Sequence, residues 1–327
     1  MKGSASLFSI VFLALMSMAA AQQPGSTAVP VGDSATSAPI NPLQIALLRW
    51  YPANRTTQFA VGDEPVAMVF DGGSLWVSNV SGNNVTRIRP NDGLVLGTYQ
   101  VGTEPWGIAF DGANVWVANN GESTLTELRG SDGTKLRTIQ VPGGTCFMAF
   151  DGINLWVTNP AGNSVTQVRV TDGAILRSFP VGTVPVGIAF DGRNVWVANE
   201  QDNTVTKLRA SDGKNLGSFS VGNIPNSIVF DGTNLWVTNA GDTTVTKLRA
   251  ADGALQGTFT VGLSPEGLTF DGRNVWVAVE GTHSVVKLNA ADGSILGTFP
   301  VGGNPDGMAF DGANIWVANG ASTISKL

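Results

Sequence analysis

Residues 181–220 read VGTVPVGIAFDGRNVWVANEQDNTVTKLRASDGKNLGSFS, and most of the 327-residue chain consists of copies of this stretch. The unit restarts at Val61, Val101, Val141, Val181, Val221, Val261 and Val301, a spacing of 40 residues each time. Self-similarity at this period marks a solenoid, a propeller or an array. Within the unit, four short runs rich in β-branched and aromatic residues (187–190, 195–198, 204–208 and 216–220) are separated by turn signals: Asp191-Gly192-Arg193-Asn194, a polar loop at 199–203, and Ser211-Asp212-Gly213. Each run has the length and composition of a strand, so each unit reads as four antiparallel strands, here A to D.

A sheet of 40 residues cannot bury its own faces and must stack on its neighbours. Radial stacking of four-stranded sheets around a channel gives a β-propeller, and seven starts predict an all-β, seven-bladed one. The seventh copy ends at Leu327 without a strand D. Residues 55–60 immediately precede the first copy, and Phe59 aligns with Phe179, Phe219, Phe259 and Phe299. An N-terminal strand completing the last blade removes the open edges that invite aggregation.

Upstream of the repeats, residues 1–21 carry Lys2, an apolar run and Ala19-Ala20-Ala21, the pattern of a secretory signal cleaved near Ala21. The expected mature protein is therefore extracytoplasmic, periplasmic or secreted, with no membrane span. Residues 22–42 are rich in Pro, Ser, Ala, Thr and Gly and read as a disordered linker. The apolar patch LQIALLRWY (43–51) then opens the domain at 43–327 and is expected to pack against it.

Composition fits this organisation: charged residues make up 13% and glycines number 41, as suits sheets joined by tight turns. A single cysteine, Cys146, allows no intrachain disulfide, so burial and closure must hold the ring. The net charge of −6 argues against nucleic acid as a partner, since binding to phosphate needs clustered Lys and Arg.

The unit V-G-x-x-P-x-G-I-A-F-D-G-x-N-V-W-V-A-N…N-T-V-T-K-L resembles the YVTN-type β-propeller repeat, with Trp-Val-Ala-Asn or Trp-Val-Thr-Asn at the name motif. It is also similar to the streptogramin B (virginiamycin B) lyase group of seven-bladed propellers. The first resemblance implies an exported binding or surface protein. The second implies a metal-dependent enzyme using histidines with a glutamate at the top of the channel, but this chain has His283 alone.

Comparing the seven copies with one another separates what every blade needs from what one blade adds. Strand B carries a Trp in every copy (Trp76 to Trp316) and strand A ends in Phe in every copy (Phe70 to Phe310), which reads as packing between blades. The recurring Asp-Gly pairs resemble fragments of calcium loops but read as turn chemistry, without the spaced acids of a dedicated loop. Thirteen of the 25 acids sit in these turns, on one face. The opposite face, formed by the D-to-A and B-to-C loops, is expected to carry Asp63, Glu64, Glu104, Glu122, Glu200, Asp202, Asp242, Glu266, Glu280 and Asp306 without any Lys or Arg. Such a field attracts cations, and acids on exposed loops also serve solubility.

The residue after the loop proline lines the channel mouth: Val66, Trp106, Cys146, Val186, Asn226, Glu266 and Asp306 around the ring. Blade six departs most, with Val279 where six copies have Asn, followed by Glu280-Gly281-Thr282-His283. Ligand-binding candidates are thus Trp106, Asn226, Glu266 and Asp306. Glu266, Glu280, His283 and Asp306 form a candidate metal set for a divalent cation, Ca²⁺ or Mg²⁺, and Glu280 and His283 are the catalytic candidates. Cys146 reads as a small buried hydrophobe. The expectation is a monomeric exported binding protein, without catalysis, that takes a protein, carbohydrate or cationic ligand on its acidic face. The alternative is a metal-dependent lyase or hydrolase with its site in blades six and seven.

Overall fold

The computed structural model describes residues 57–327; the expected export signal and linker, the 43–51 patch and residues 55 and 56 lie outside the described residues. Seven four-stranded antiparallel sheets form seven blades. In blade four, strand A is Pro185–Phe190, B Asn194–Asn199, C Thr204–Arg209 and D Asn215–Ser220, paired in that order. The A strands of successive blades lie against one another around the axis, and that of blade seven (Pro305–Phe310) lies against that of blade one (Pro65–Phe70). Thr57–Ala60 pairs antiparallel with Thr323–Lys326, so the fourth strand of blade seven comes from the N-terminal end of the described chain.

Two interactions recur and explain the repeat. In each blade the Asp of the A-to-B turn binds with both carboxylate oxygens. Asp191 Oδ1 accepts the backbone N–H groups of Arg193 (2.9 Å) and Asn194 (2.6 Å), while Oδ2 accepts the indole N–H of Trp196 (2.8 Å). The same indole–carboxylate bond occurs in all seven blades at 2.7 to 2.8 Å. One acid thus closes the turn and satisfies the polar atom of the largest buried side chain. The indole faces the next blade, where Trp196 packs in one cluster with Leu235 and Val237, and Trp316 packs with Leu75 and Val77 across the closure.

Strand C adds a second stitch. Lys207 stands 4.7 Å from the Trp196 ring and donates to the carbonyls of Ala250 (2.7 Å) and Ala251 (3.0 Å) in blade five. Lys326 does the same over Trp316, reaching the Pro90 carbonyl of blade one at 2.7 Å. Blade two inverts the scheme. Its strand C has the buried Glu127, which pairs with Arg137 from strand D, and that guanidinium lies over Trp116.

Strand A approaches its neighbour closely around the axis. A Cβ on Gly187 would stand 2.0 Å from the Asn226 carbonyl oxygen, and one on Gly307 would stand 2.2 Å from that of Val66. This explains glycine at that column better than any turn requirement. Blades one, three and five carry Ala67, Phe147 and Ser227 there, and in blade three, with the largest of these side chains, strand A is Met148–Phe150.

Burial acts to raise the pKa of Asp191, but the hydrogen bonds from Trp196, Asn194 and the backbone outweigh it and hold the carboxyl below its ordinary value. A depressed carboxyl stabilises the fold above its unfolded pKa, and that contribution is lost as pH falls through the folded value. Asp191→Ala, which strands the Trp196 N–H, is expected to cost about 1–3 kcal/mol in urea unfolding, with the m-value unchanged. Arg209→Ala, which breaks the exposed pair with Asp212, should change stability little.

Candidate functional site

The D-to-A and B-to-C loops form one face, and all ten acids assigned to it from the sequence stand in those loops or at the start of strand A. Several of them have jobs within the blade. Asp202 accepts the Thr183 N–H (2.7 Å), Asp242 the Asn223 N–H (2.7 Å) and Glu122 the Thr103 N–H (3.2 Å), each tying a B-to-C loop to the D-to-A loop beside it. Glu64 accepts from Ser81 and Asp63 from Ser322. Much of the acidity of this face is therefore loop chemistry.

Glu266 and Asp306 differ. They stand after the loop proline at the channel mouth, and both line a cleft of about 570 Å³ spread over blades six, seven and one, together with Glu64, Glu280, Asn304 and Ser322. Glu266 is positioned by its neighbours: Asn226 of blade five donates to its carboxylate, and the Thr238 hydroxyl donates to its carbonyl at 2.7 Å. Asp306, half-buried, has no hydrogen-bond partner for its carboxylate among the described residues. Burial, reinforced by Glu266, Glu280 and Glu64, pushes its pKa up to about 8. Burial also raises Glu266, against the bond from Asn226 and with help from Glu280 and Glu200.

Below the mouth, Glu266, Asp306, Asn226 and Val66 share a smaller cavity with Phe147. Phe147 was missed by the reading of the post-proline ring because it stands one residue further on. The signal is the column Ala67, Gly107, Phe147, Gly187, Ser227, Gly267, Gly307, in which a single blade carries a large side chain. Trp106, 36% exposed, lines neither cavity and instead meets Phe147 edge-on at 6.3 Å. Cys146 is 3% exposed and burial pushes its thiol up to about 12, so it is protonated and unreactive.

Of the candidate metal set, Glu266, Glu280 and Asp306 line the cleft and His283 does not. His283 occupies the left-handed position (φ 48°) that ends the B-to-C loop, where Asn83, Asn163 and Asn203 stand in other blades. Those asparagines accept a backbone N–H from the next blade's D-to-A loop: Glu104 (2.9 Å), Val184 (3.0 Å) and Ile224 (2.9 Å). His283 Nδ1 accepts the Asn304 N–H (3.2 Å) in the same way. The lone histidine is thus an asparagine substitute with one nitrogen engaged. Among the described residues no three His, Cys, Asp or Glu side chains are grouped to hold a metal ion. Glu280 remains with Glu266 and Asp306 as a wall of the cleft.

The other departure of blade six is also a packing change. In blade four, Asn199 donates to Thr206 and Thr204. In blade six the Asn–Thr pair is replaced by Val279 and Val286, 0% and 2% exposed in one apolar cluster. Two polar partners were exchanged together for two apolar ones, which leaves no unsatisfied group.

No protein-family model matches this chain, and no curated relative does. Among solved structures, a streptogramin B lyase is similar at 17% identity and TM-score 0.72, covering 83% of this chain and 96% of that one. The virginiamycin B lyase of Staphylococcus aureus is similar at 20% identity and TM-score 0.72, over 83% and 98%. The hydrazine synthase of Kuenenia stuttgartiensis is similar at 18% identity and TM-score 0.71, over 82% and 96%. Identities this low establish the fold, a seven-bladed propeller of the streptogramin B lyase type, and a fold hosts many chemistries.

Two predictions follow from the site's geometry. His283→Asn should leave stability within experimental scatter, whereas His283→Ala should cost roughly 0.5–1.5 kcal/mol by losing the loop bond. A carboxyl raised from its ordinary value to about 8 binds its proton more tightly folded than unfolded, so stability should fall as pH rises from about 4 to 8. Asp306→Asn should flatten that slope and raise the melting midpoint at pH 8, by scanning calorimetry.

Proposed function

We propose that this protein is an exported, monomeric binding protein whose ligand is an organic cation, an ammonium group on an apolar body, held at the channel mouth. The observation that carries this reading is the lining of the mouth. Two carboxylates, Glu266 and Asp306, share a cavity with the amide of Asn226 and the ring of Phe147, and no Lys or Arg stands in the loops of that face. Desolvated carboxylates without a counter-charge gain most from a cation that replaces the missing partner. An aromatic wall favours a cation with an apolar body over a bare, strongly hydrated metal ion. Glu280 and Glu64 extend the negative rim and draw the ligand in. Export rests on the pattern of residues 1–21.

We read the site as one for binding without turnover. The imidazole serves the Asn304 backbone, the thiol is buried and protonated, and the remaining groups are acids and amides.

The test is a thermal-shift and calorimetric titration with tetramethylammonium, phenethylamine and spermidine, against CaCl₂ and MgCl₂ as controls. An organic amine at about 100 times its dissociation constant should stabilise the protein by roughly 2.7 kcal/mol. The effect should strengthen as pH rises through about 8, where Asp306 ionises. Glu266→Gln with Asp306→Asn should abolish it, and Phe147→Ser should weaken it. Equal or stronger responses to the metal ions, or none to any amine, would contradict the reading.

A further inference from the structure

We infer that the ligand enters the mouth tail first: a primary ammonium held by Glu266, Asp306 and Asn226, with a straight apolar tail of about four or five carbons lying down the ring axis. The inference rests on the reading of the mouth as a cation site and assigns the group that fills the space beneath it.

Strand A is layered along the axis. The post-proline residue at its start supplies the polar arc of Asn226, Glu266 and Asp306. One residue on, four blades have glycine and Phe147 is the one large side chain. Two residues on, every blade has a Met, Ile or Leu, from Met68 in blade one to Met308 in blade seven, and six of the seven are 8 or 9% exposed. The cavity below the mouth has a volume of about 100 Å³, space for several methylene-sized groups. Glu266, Asp306 and Asn226 line its top, Phe147 its side, and Met148, Ile188 and Ile228 its foot, where the lining stops. The cavity is therefore a slot with an acidic entrance and an aliphatic floor. Two residues of extended strand span roughly 6–7 Å, and a methylene chain covers roughly 1.3 Å per bond, which sets the length of the tail.

The entrance specifies the head group. Asn226 donates its amide N–H to Glu266, which leaves its Oδ1 accepting nothing among the described residues, like the carboxylate of Asp306. Glu266, Asp306 and this Oδ1 are three acceptors around one cavity. A primary ammonium has three N–H donors and no acceptor, whereas a quaternary one has no donor to offer. Glu64 and Glu280 line the wide cleft above and not the slot. A second ammonium at the far end of the tail would stand against Met and Ile without a partner, at a large desolvation cost.

The test is isothermal titration calorimetry of the full chain at about pH 9, where alkylamines keep their proton, with the straight-chain series from methylamine to octylamine. The dissociation constant should fall about fourfold per methylene as far as butylamine or pentylamine, and heptylamine and octylamine should bind no tighter. Cadaverine, the pentyl tail ending in a second ammonium, should bind about tenfold or more weakly than pentylamine. Pentyltrimethylammonium should also bind more weakly than pentylamine. Ile188→Ala, checked by its melting midpoint, lowers the floor and should move the break to a longer tail; the wild-type series decides the proposal whether or not that variant folds. Equal affinity along the series, or cadaverine tighter than pentylamine, overturns the proposal and leaves the mouth a plain acidic cation site. No binding of any amine overturns both.

Discussion

The hydrogen bond from each strand-B indole to the turn aspartate five residues earlier is the interaction on which the ring depends. A Trp facing the next blade fills the gap between sheets better than any aliphatic, but it brings a buried N–H that must be satisfied. The aspartate supplies the acceptor and, with its other oxygen, the two backbone N–H groups of the turn that places the Trp. Each blade thereby couples its local turn to its contact with a neighbour. Seven copies of that coupling, with the Lys207-type stitches across the same gaps, close a ring that has no disulfide to rely on.

That coupling segregates the molecule by face. The A-to-B turns, the ends of strand C and the C-to-D turns are taken up by Asp, Trp, Lys and Arg serving the fold. On the opposite face, the loops need only short polar caps: Asn, Ser, Asp or, once, His. The post-proline position faces the axis and is free to vary, and it is there that Glu266 and Asp306 stand with Asn226. The uncompensated acids and the aromatic intruder Phe147 lie where the repeat imposes least.

Much of this was readable from the chain before any coordinates. Strict 40-residue spacing and four turn-bounded runs per unit were enough for blade number and strand order. The assignment of loops to faces followed from strand order alone. Departures from the repeat were harder to weigh. Val279 looked like the mark of a site, yet it is half of a buried exchange whose other half, Val286, lies seven residues on. His283 drew notice beside Glu280, Glu266 and Asp306 as a set of metal-binding types, and its column shows asparagine accepting an N–H. Both positions take their meaning from a partner elsewhere in the chain, because hydrogen-bonded partners change together. The indole–aspartate pairing was equally hidden, because Asp and Trp are invariant across the copies and each has a sufficient explanation alone.

The proposal that ties these observations together is that Asp306 stands in the channel mouth as a carboxyl with no hydrogen-bond partner among the described residues, available to a cation. The most direct measurement is a carbon-13 NMR titration of the side-chain carboxyls in aspartate-labelled protein, with Asp306→Asn to assign the resonance. The account predicts a titration midpoint near the value of about 8, moving to lower pH when an organic amine is bound. A midpoint in the ordinary range for aspartate, about 3.5 to 4, would mean that solvent already supplies what the site is said to lack.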